Sequence, residues 1–465
     1  MAQTKAVKKT ENPNKLGFGT FVLWCSNGAS TAVQAVVLGY VTIYCTNALG
    51  LSAAVVGTLL MVSKIFDGIT DLLAGYVVDR TNTKMGRGRP YDLCIIGLWV
   101  TTWMIFAVPA QFTTALKCVW VFICYTLCQS VFKTFLSAAG TAYMVRAFNN
   151  EQKYVKLSSI GGLFSTVLVI VFNVVFPFFY AKIINDAAGW SSLILTLAIP
   201  MCIIGLLRFF FIPEKYDVEE QRAEKISLKD VLNVFKNNQY IYYVGVLFFV
   251  VGLTGNLSVA GYYFLYIVKN VEISGVISLF TVVAMLTLVV YPVLLKKITT
   301  KQLIQYGLLI SIGSGVLNFF ANDNLVMLAV ASILLGIAQL PISYMSGLMI
   351  IDCADYNEWQ GRARMEGTLS SITGFLNKIG SAFGAFLIGV LLSMSHFDGT
   401  LEVQPDSAIS MIRFCYSLLP TIIYVLAAVV LHFYKLDKMK PQINAELAER
   451  RAQVAESNVE AEKQV

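Results

Sequence analysis

Asp67 and Asp71 are the residues of this chain with the clearest capacity for chemistry. They lie four residues apart in the stretch KIFDGITDLLAGYVVDRTNTKMGRGRPY, Lys64 to Tyr91. On a helix that spacing puts both carboxylates on one face, one turn apart. Between Leu51 and Val78 the two acids and Lys64 are the only charged side chains of an otherwise apolar run. The run exceeds the ~20 residues that a bilayer crossing needs. A carboxylate inside a membrane is costly, so it faces a polar cavity or a partner charge. Two of them on one face offer hard oxygen ligands to a small cation, which makes Asp67 and Asp71 the metal ligands if that cation is Na+. The competing reading is a plain ion pair of one acid with Lys64. Ionisable groups at membrane depth are functional by default, which favours the cation site.

The elements that must position these acids are membrane helices. Of 465 residues 57% are hydrophobic and only 14% are charged, against about 25% charged in soluble domains. Twelve apolar spans run at about 17–46, 53–79, 92–111, 115–146, 158–183, 190–212, 239–269, 273–296, 302–321, 325–351, 367–395 and 408–435. The expected class is an all-α polytopic membrane protein. The widest break, Pro213 to Asn238, is dense in charge. It divides the chain into a first bundle (1–212), a central loop (213–238), a second bundle (239–435) and a tail (436–465). Basic residues recur in alternate connections: Lys5, Lys8, Lys9 and Lys15; Arg80, Lys84, Arg87 and Arg89; Arg146, Lys153 and Lys156. By the positive-inside rule both termini are cytoplasmic. The net charge of +7 therefore orients the chain and is no signal for nucleic acid. No cleaved signal peptide is expected. The nine cysteines mostly fall in apolar runs and read as free thiols. No nucleophile–base pair, phosphate loop or metal cluster is evident, so neither an enzyme nor a cofactor is expected. The charged tail reads as a solvated helix with no activity of its own.

Two six-span halves split by a charged loop suit an alternating-access carrier, in which the site lies at the midplane between the halves. The loop between spans two and three has the shape of the major facilitator signature: Gly75, Asp79-Arg80, then Gly86-Arg87-Gly88-Arg89. The longer stretch FDGITDLLAGYVVDRTNTKMGRGRP resembles the glycoside–pentoside–hexuronide cation symporters, which include the melibiose and glucuronide carriers. A second block, DCADYNEWQGRARMEGTLSSITGFLNKIGSAFGAF (Asp352 to Phe386), carries the same resemblance.

The resemblance implies twelve transmembrane helices in two pseudo-symmetric six-helix bundles, the major facilitator fold. It implies a monomeric secondary transporter of the bacterial inner membrane, with the lipid bilayer as its surroundings. Such a carrier imports a small organic solute, a glycoside or hexuronide by default, together with Na+, Li+ or H+. Asp67 and Asp71 match the family's cation-binding acids, and Lys378 matches a lysine near them. Asp352, Asp355, Glu358 and Arg364 match a cytoplasmic gate, which Asp79, Arg80, Arg87 and Arg89 would close from the other half. The chain departs from the family in its sugar contacts. Helix one reads Ser26-Asn27-Gly28-Ala29-Ser30-Thr31, helix four reads Ser137-Ala138-Ala139, and an arginine of helix five is replaced near Gly161. Trp24, Asn27, Thr31, Ser137 and Lys378 remain as candidate solute contacts. The rival readings are the same fold moving a non-sugar or amphipathic solute, and a non-transporting sensor or scaffold.

Overall fold

The computed structural model describes residues 17–148, 151–216, 238–257, 259–283, 287, 290–362 and 366–463. The N-terminal lysines, residues 217–237 of the central loop and Arg364 lie outside the described residues, as does the side chain of Asp79. Among the described residues every apolar span of the sequence contains helix. In chain order the helices are α1 (Phe18–Ala48), α2 (Ala53–Arg80), α3 (Cys94–Ile105), α4 (Thr114–Phe148), α5 (Glu151–Tyr180), α6 (Ala187–Phe211) and α7 (Tyr240–Tyr266). They continue as α8 (Glu272–Val283), α9 (Thr300–Ala321), α10 (Leu325–Trp359), α11 (Glu366–Met394), α12 (Asp406–His432) and α13 (Leu436–Lys463).

Among the described residues ten helices are long and apolar enough to cross a membrane. Of the other two spans, α3 holds 12 residues, fewer than the ~20 of a straight crossing, and the eighth is described only in part, as α8 and a short helix at Tyr291–Leu294. A tight turn at Arg89–Leu93, opened by Pro90, leads into α3. π-helical turns occupy Tyr44–Ala48 in α1 and Leu127–Lys133 in α4. α7 is interrupted between Gly255 and Ala260.

The two halves meet unequally at their two ends. One end carries residue 17 and α13; it is called the near end here. At the far end one buried core crosses both halves, joining Val37, Tyr44 and Tyr180 of the first half to Tyr262, Leu392 and Ile412 of the second. At the near end the buried clusters belong to one half each: Trp24, Tyr143, Leu157 and Ile212 in the first, Ile241, Leu308, Met349 and Tyr424 in the second. The far-end junction is also polar. Thr46 and Tyr262 hydroxyls lie 2.8 Å apart, and Asn47 Nδ2 donates to the Tyr266 hydroxyl at 2.7 Å. α2 and α11 cross there with their backbones in contact. A Cβ on Gly57 would lie 2.8 Å from the Ala385 carbonyl oxygen, and one on Gly389 only 2.4 Å from that of Ala53. Small residues that let membrane helices approach this closely are the usual basis of such packing.

The near end of the first half rests on a buried ion pair. Asp92 and Arg208 are both almost fully buried, and Arg208 Nε donates to Asp92 Oδ2 at 2.8 Å. The guanidinium also lies over the rings of Trp24 at 4.8 Å and Tyr143 at 5.1 Å. Removing one member of such a pair strands the other charge, at a cost of roughly 3–5 kcal/mol. Asp92→Ala is therefore expected to lower the melting temperature of the purified protein sharply. An unchanged melting temperature would mean that the pair contributes nothing to stability.

The tail is a correction to its expected solvation. α13 lies against α10, with Leu436, Ile443 and Leu447 buried. Lys440 pairs with Asp352 at 2.6 Å, and the Trp359 indole donates to Glu446 at 2.6 Å. The amphipathic spacing 436, 443, 447 is what seats it.

Candidate functional site

A cavity of about 570 Å³ lies between the halves, walled by α1, α2 and α4 of the first and α7 and α11 of the second. The close α2–α11 crossing carries Lys378 across to the acids. Lys378 Nζ lies 3.0 Å from Asp67 Oδ2 and also donates to Asp71 Oδ2. The Thr134 hydroxyl, on α4, lies 2.9 Å from Asp67 Oδ1 and 3.1 Å from Asp71 Oδ1. Both acids thus meet one ammonium and one hydroxyl. Asp67 is the deeper, at 21% side-chain exposure against 43% for Asp71. Asp67 lines the cavity, and Asp71 lies one turn toward the near end.

Lys64 forms no ion pair with either acid within 4 Å; its ammonium donates to Asn256 Oδ1 on α7. A second cavity lysine, Lys133, comes from the π-helical turn of α4. Its Nζ lies 3.5 Å from Gln34 Oε1. Tyr125, Gln129 and Lys133 recur every four residues and all line the cavity. π turns of this kind are frequent at functional sites.

The remaining candidates from the sequence are distributed as follows. Trp24 is buried away from the cavity, packed on Tyr143 and Phe148 and under Arg208. Asn27 is buried against α6 and reaches the Gly205 carbonyl at 3.4 Å. Thr31 turns back on its own helix, donating to the Asn27 and Gly28 carbonyls. Ser137 is exposed, one turn beyond Thr134 toward the near end. In α1 it is Ala35, Leu38, Gly39 and Thr42 that reach the cavity.

The loop between α2 and α3 is held by its own half. The Glu214 carboxylate accepts from the backbone N–H groups of Arg87, Gly88 and Arg89 at 3.0, 2.8 and 2.7 Å. Gly86 has φ +112°, and a Cβ there would lie 2.4 Å from the same carboxylate. Arg89 Nε donates to the Phe209 carbonyl at 2.9 Å. In the second half Asp352 is taken by Lys440 of the tail. Arg80, Asp355 and Glu358 are also engaged.

Sequence reading missed Lys133, Thr134, Asn256 and Gln129. The signal for Lys133 was present: a lysine near the middle of an apolar run, the same anomaly that exposes Asp67.

The charged cavity between two helical bundles agrees with comparisons to known proteins. A family described as MFS/sugar transport protein matches residues 25–438. The chain belongs to that family. Among curated relatives of this MFS/sugar transport protein, the isoprimeverose transporter of Lactiplantibacillus pentosus is 28% identical, covering 89% of this chain and 88% of its own. The glucuronide carrier protein homolog of Escherichia coli K12 is 25% identical, covering 88% and 90%. In fold it is similar to a bacterial homologue of the human lysosomal transporter Spinster, with a TM-score of 0.67 at 14% identity, covering 91% of this chain and 98% of that one. These relatives place it with the glycoside–pentoside–hexuronide symporters of the major facilitator superfamily. It is a multi-pass membrane transporter of the symport type, not an enzyme.

Proposed function

We propose that this protein imports a small glycoside-type solute across a bacterial inner membrane, driven by one monovalent cation, Na+ or H+, bound at Asp67 and Asp71. The observation that carries this reading is the shared use of Lys378 by both acids. Two carboxylates against one ammonium leave a single negative charge, which one monovalent cation neutralises. When Lys378 swings away, the carboxylates and the Thr134 hydroxyl offer the oxygen ligands that a hard cation takes.

The basic loops put the near end in the cytoplasm. The far-end core then closes the outer face, and the separate near-end cores describe an inward-facing carrier. Asp79, Arg80, Arg87 and Arg89 would meet the Asp352–Arg364 segment when the near ends close. Exposed ion pairs of ~0–1 kcal/mol each suit a latch that must also open.

The test is thermal stabilisation of the purified protein by Na+, Li+ and K+ at fixed ionic strength, and by a pH step. A cation that binds only the folded protein stabilises it by about 2.7 kcal/mol at a hundred times its Kd. Stabilisation by Na+ or Li+ above K+ is expected for a sodium carrier, and by acidification for a proton carrier. Both effects should be lost in Asp67→Asn. A carrier indifferent to all three ions and to pH would overturn the reading.

A further inference from the structure

We infer that the solute carries an acidic group, and that Lys64 and Lys133 bind it. The inference rests on the symport reading for what the cavity does, but on the charges of the cavity for what it takes. Three ammoniums, Lys64, Lys133 and Lys378, face two carboxylates, Asp67 and Asp71. Lys378 is committed to the acids. Lys64 and Lys133 are not: among the described residues neither has a carboxylate within 4 Å, and each is held by one side-chain amide oxygen. Asp67 acts on both through space, but its charge is already shared with Lys378.

A lysine at membrane depth is costly in a spanning helix and normally pairs or snorkels to an interface. Lys64 and Lys133 lie too far inside α2 and α4 to snorkel. An ammonium has three donors. With one used on Asn256 and one on Gln34, each lysine keeps two donors for the cavity. Their surplus charge is answered by an anion that comes and goes with transport.

The rest of the wall suits a neutral, hydroxyl-bearing remainder. Gln129 stands on the α4 side, and Asn377 and Ser381 on the α11 side. Amide and hydroxyl groups donate and accept, which matches sugar hydroxyls. The ligand is therefore a hydroxyl-bearing solute with one acidic group. Carboxylate, sulfonate and phosphate share the chemistry that two ammoniums recognise, and the test separates them.

The test uses the full-length protein in proteoliposomes, with matched probes: methyl β-D-glucoside against methyl β-D-glucuronide, D-galactose against D-galacturonate, and D-glucose against its 6-sulfonate and 6-phosphate. Affinity is read from competition and stabilisation. The acidic member of at least one pair should bind ten-fold or more tighter than its neutral partner. Lys133→Gln and Lys64→Gln should each reduce that preference ten-fold, and Lys133→Arg should restore most of it. Restoration separates a binding role from a folding defect. Equal or better binding of the neutral members overturns the inference, as does a Lys133→Gln that weakens both members alike, and so does a panel in which nothing binds. Neutral sugars accumulated in a cation-dependent way would overturn it while leaving the symport reading intact. Lysine-dependent binding of acids with no cation dependence would do the reverse.

Discussion

In vesicles carrying Asp67→Asn or Asp71→Asn, uphill accumulation of solute is expected to fall to background while counterflow of the same solute persists. The reason is charge arithmetic at one ammonium. In the native site Lys378 meets two acids, and the remaining negative charge recruits the cation. With either acid neutralised, Lys378 and the surviving acid cancel, and nothing is left to attract an ion. Two carboxylates ~5–6 Å apart repel by about 3 kcal/mol at an effective dielectric of ~20. That repulsion is what the cation relieves, so the expected loss is of driving force and not of the solute site. Lys378→Gln should act in the opposite sense. It leaves two bare acids, so cation binding should tighten and turnover should slow. If both Asn variants still concentrate solute against its gradient, the acids are not the coupling site.

The acid pair was legible because it breaks a local rule, whereas Lys378 and the glycine-rich loop were legible through their resemblance to a known family. A charge in an apolar run needs an explanation even in one dimension. Lys133 breaks the same rule but was read over, because its span was judged by length alone. Trp24 and Asn27 lie away from the cavity. Eleven of the fifteen residues from Trp24 to Leu38 are buried, so the pattern cannot say which face meets α6 and which meets the cavity. The structure gives the cavity to Ala35, Leu38, Gly39 and Thr42, of which only Thr42 carries a polar side chain. The tail failed through distance in sequence: Lys440 takes Asp352 and Glu446 takes Trp359, pairings that no periodicity announces. The halves themselves were plain, since a charged break between two sets of apolar spans leaves few alternatives.

Gly389→Leu is expected to stop transport without unfolding the protein. The α2–α11 crossing at the far end is made by glycine backbones, and any Cβ on Gly389 would lie 2.4 Å from the Ala53 carbonyl oxygen. That oxygen belongs to helix backbone, which cannot step aside as a flexible side chain does. The far ends must separate, and the state described here loses stability relative to the one in which they are open. Overpacking costs of roughly 1–3 kcal/mol displace such an equilibrium by about five- to 150-fold. Leu is a better helix former than Gly by up to ~1 kcal/mol, so a defect cannot be charged to helix propensity. The readout is a single cysteine at Ser137, which is exposed one turn beyond Thr134, in a background without the nine native cysteines. A membrane-impermeant thiol reagent added from the near-end side should label Ser137→Cys readily in the parent and slowly with Gly389→Leu. Solute uptake should fall in parallel, and the melting temperature should hold. Unchanged labelling with normal uptake would mean that the α2–α11 crossing is not the contact that closes the far end.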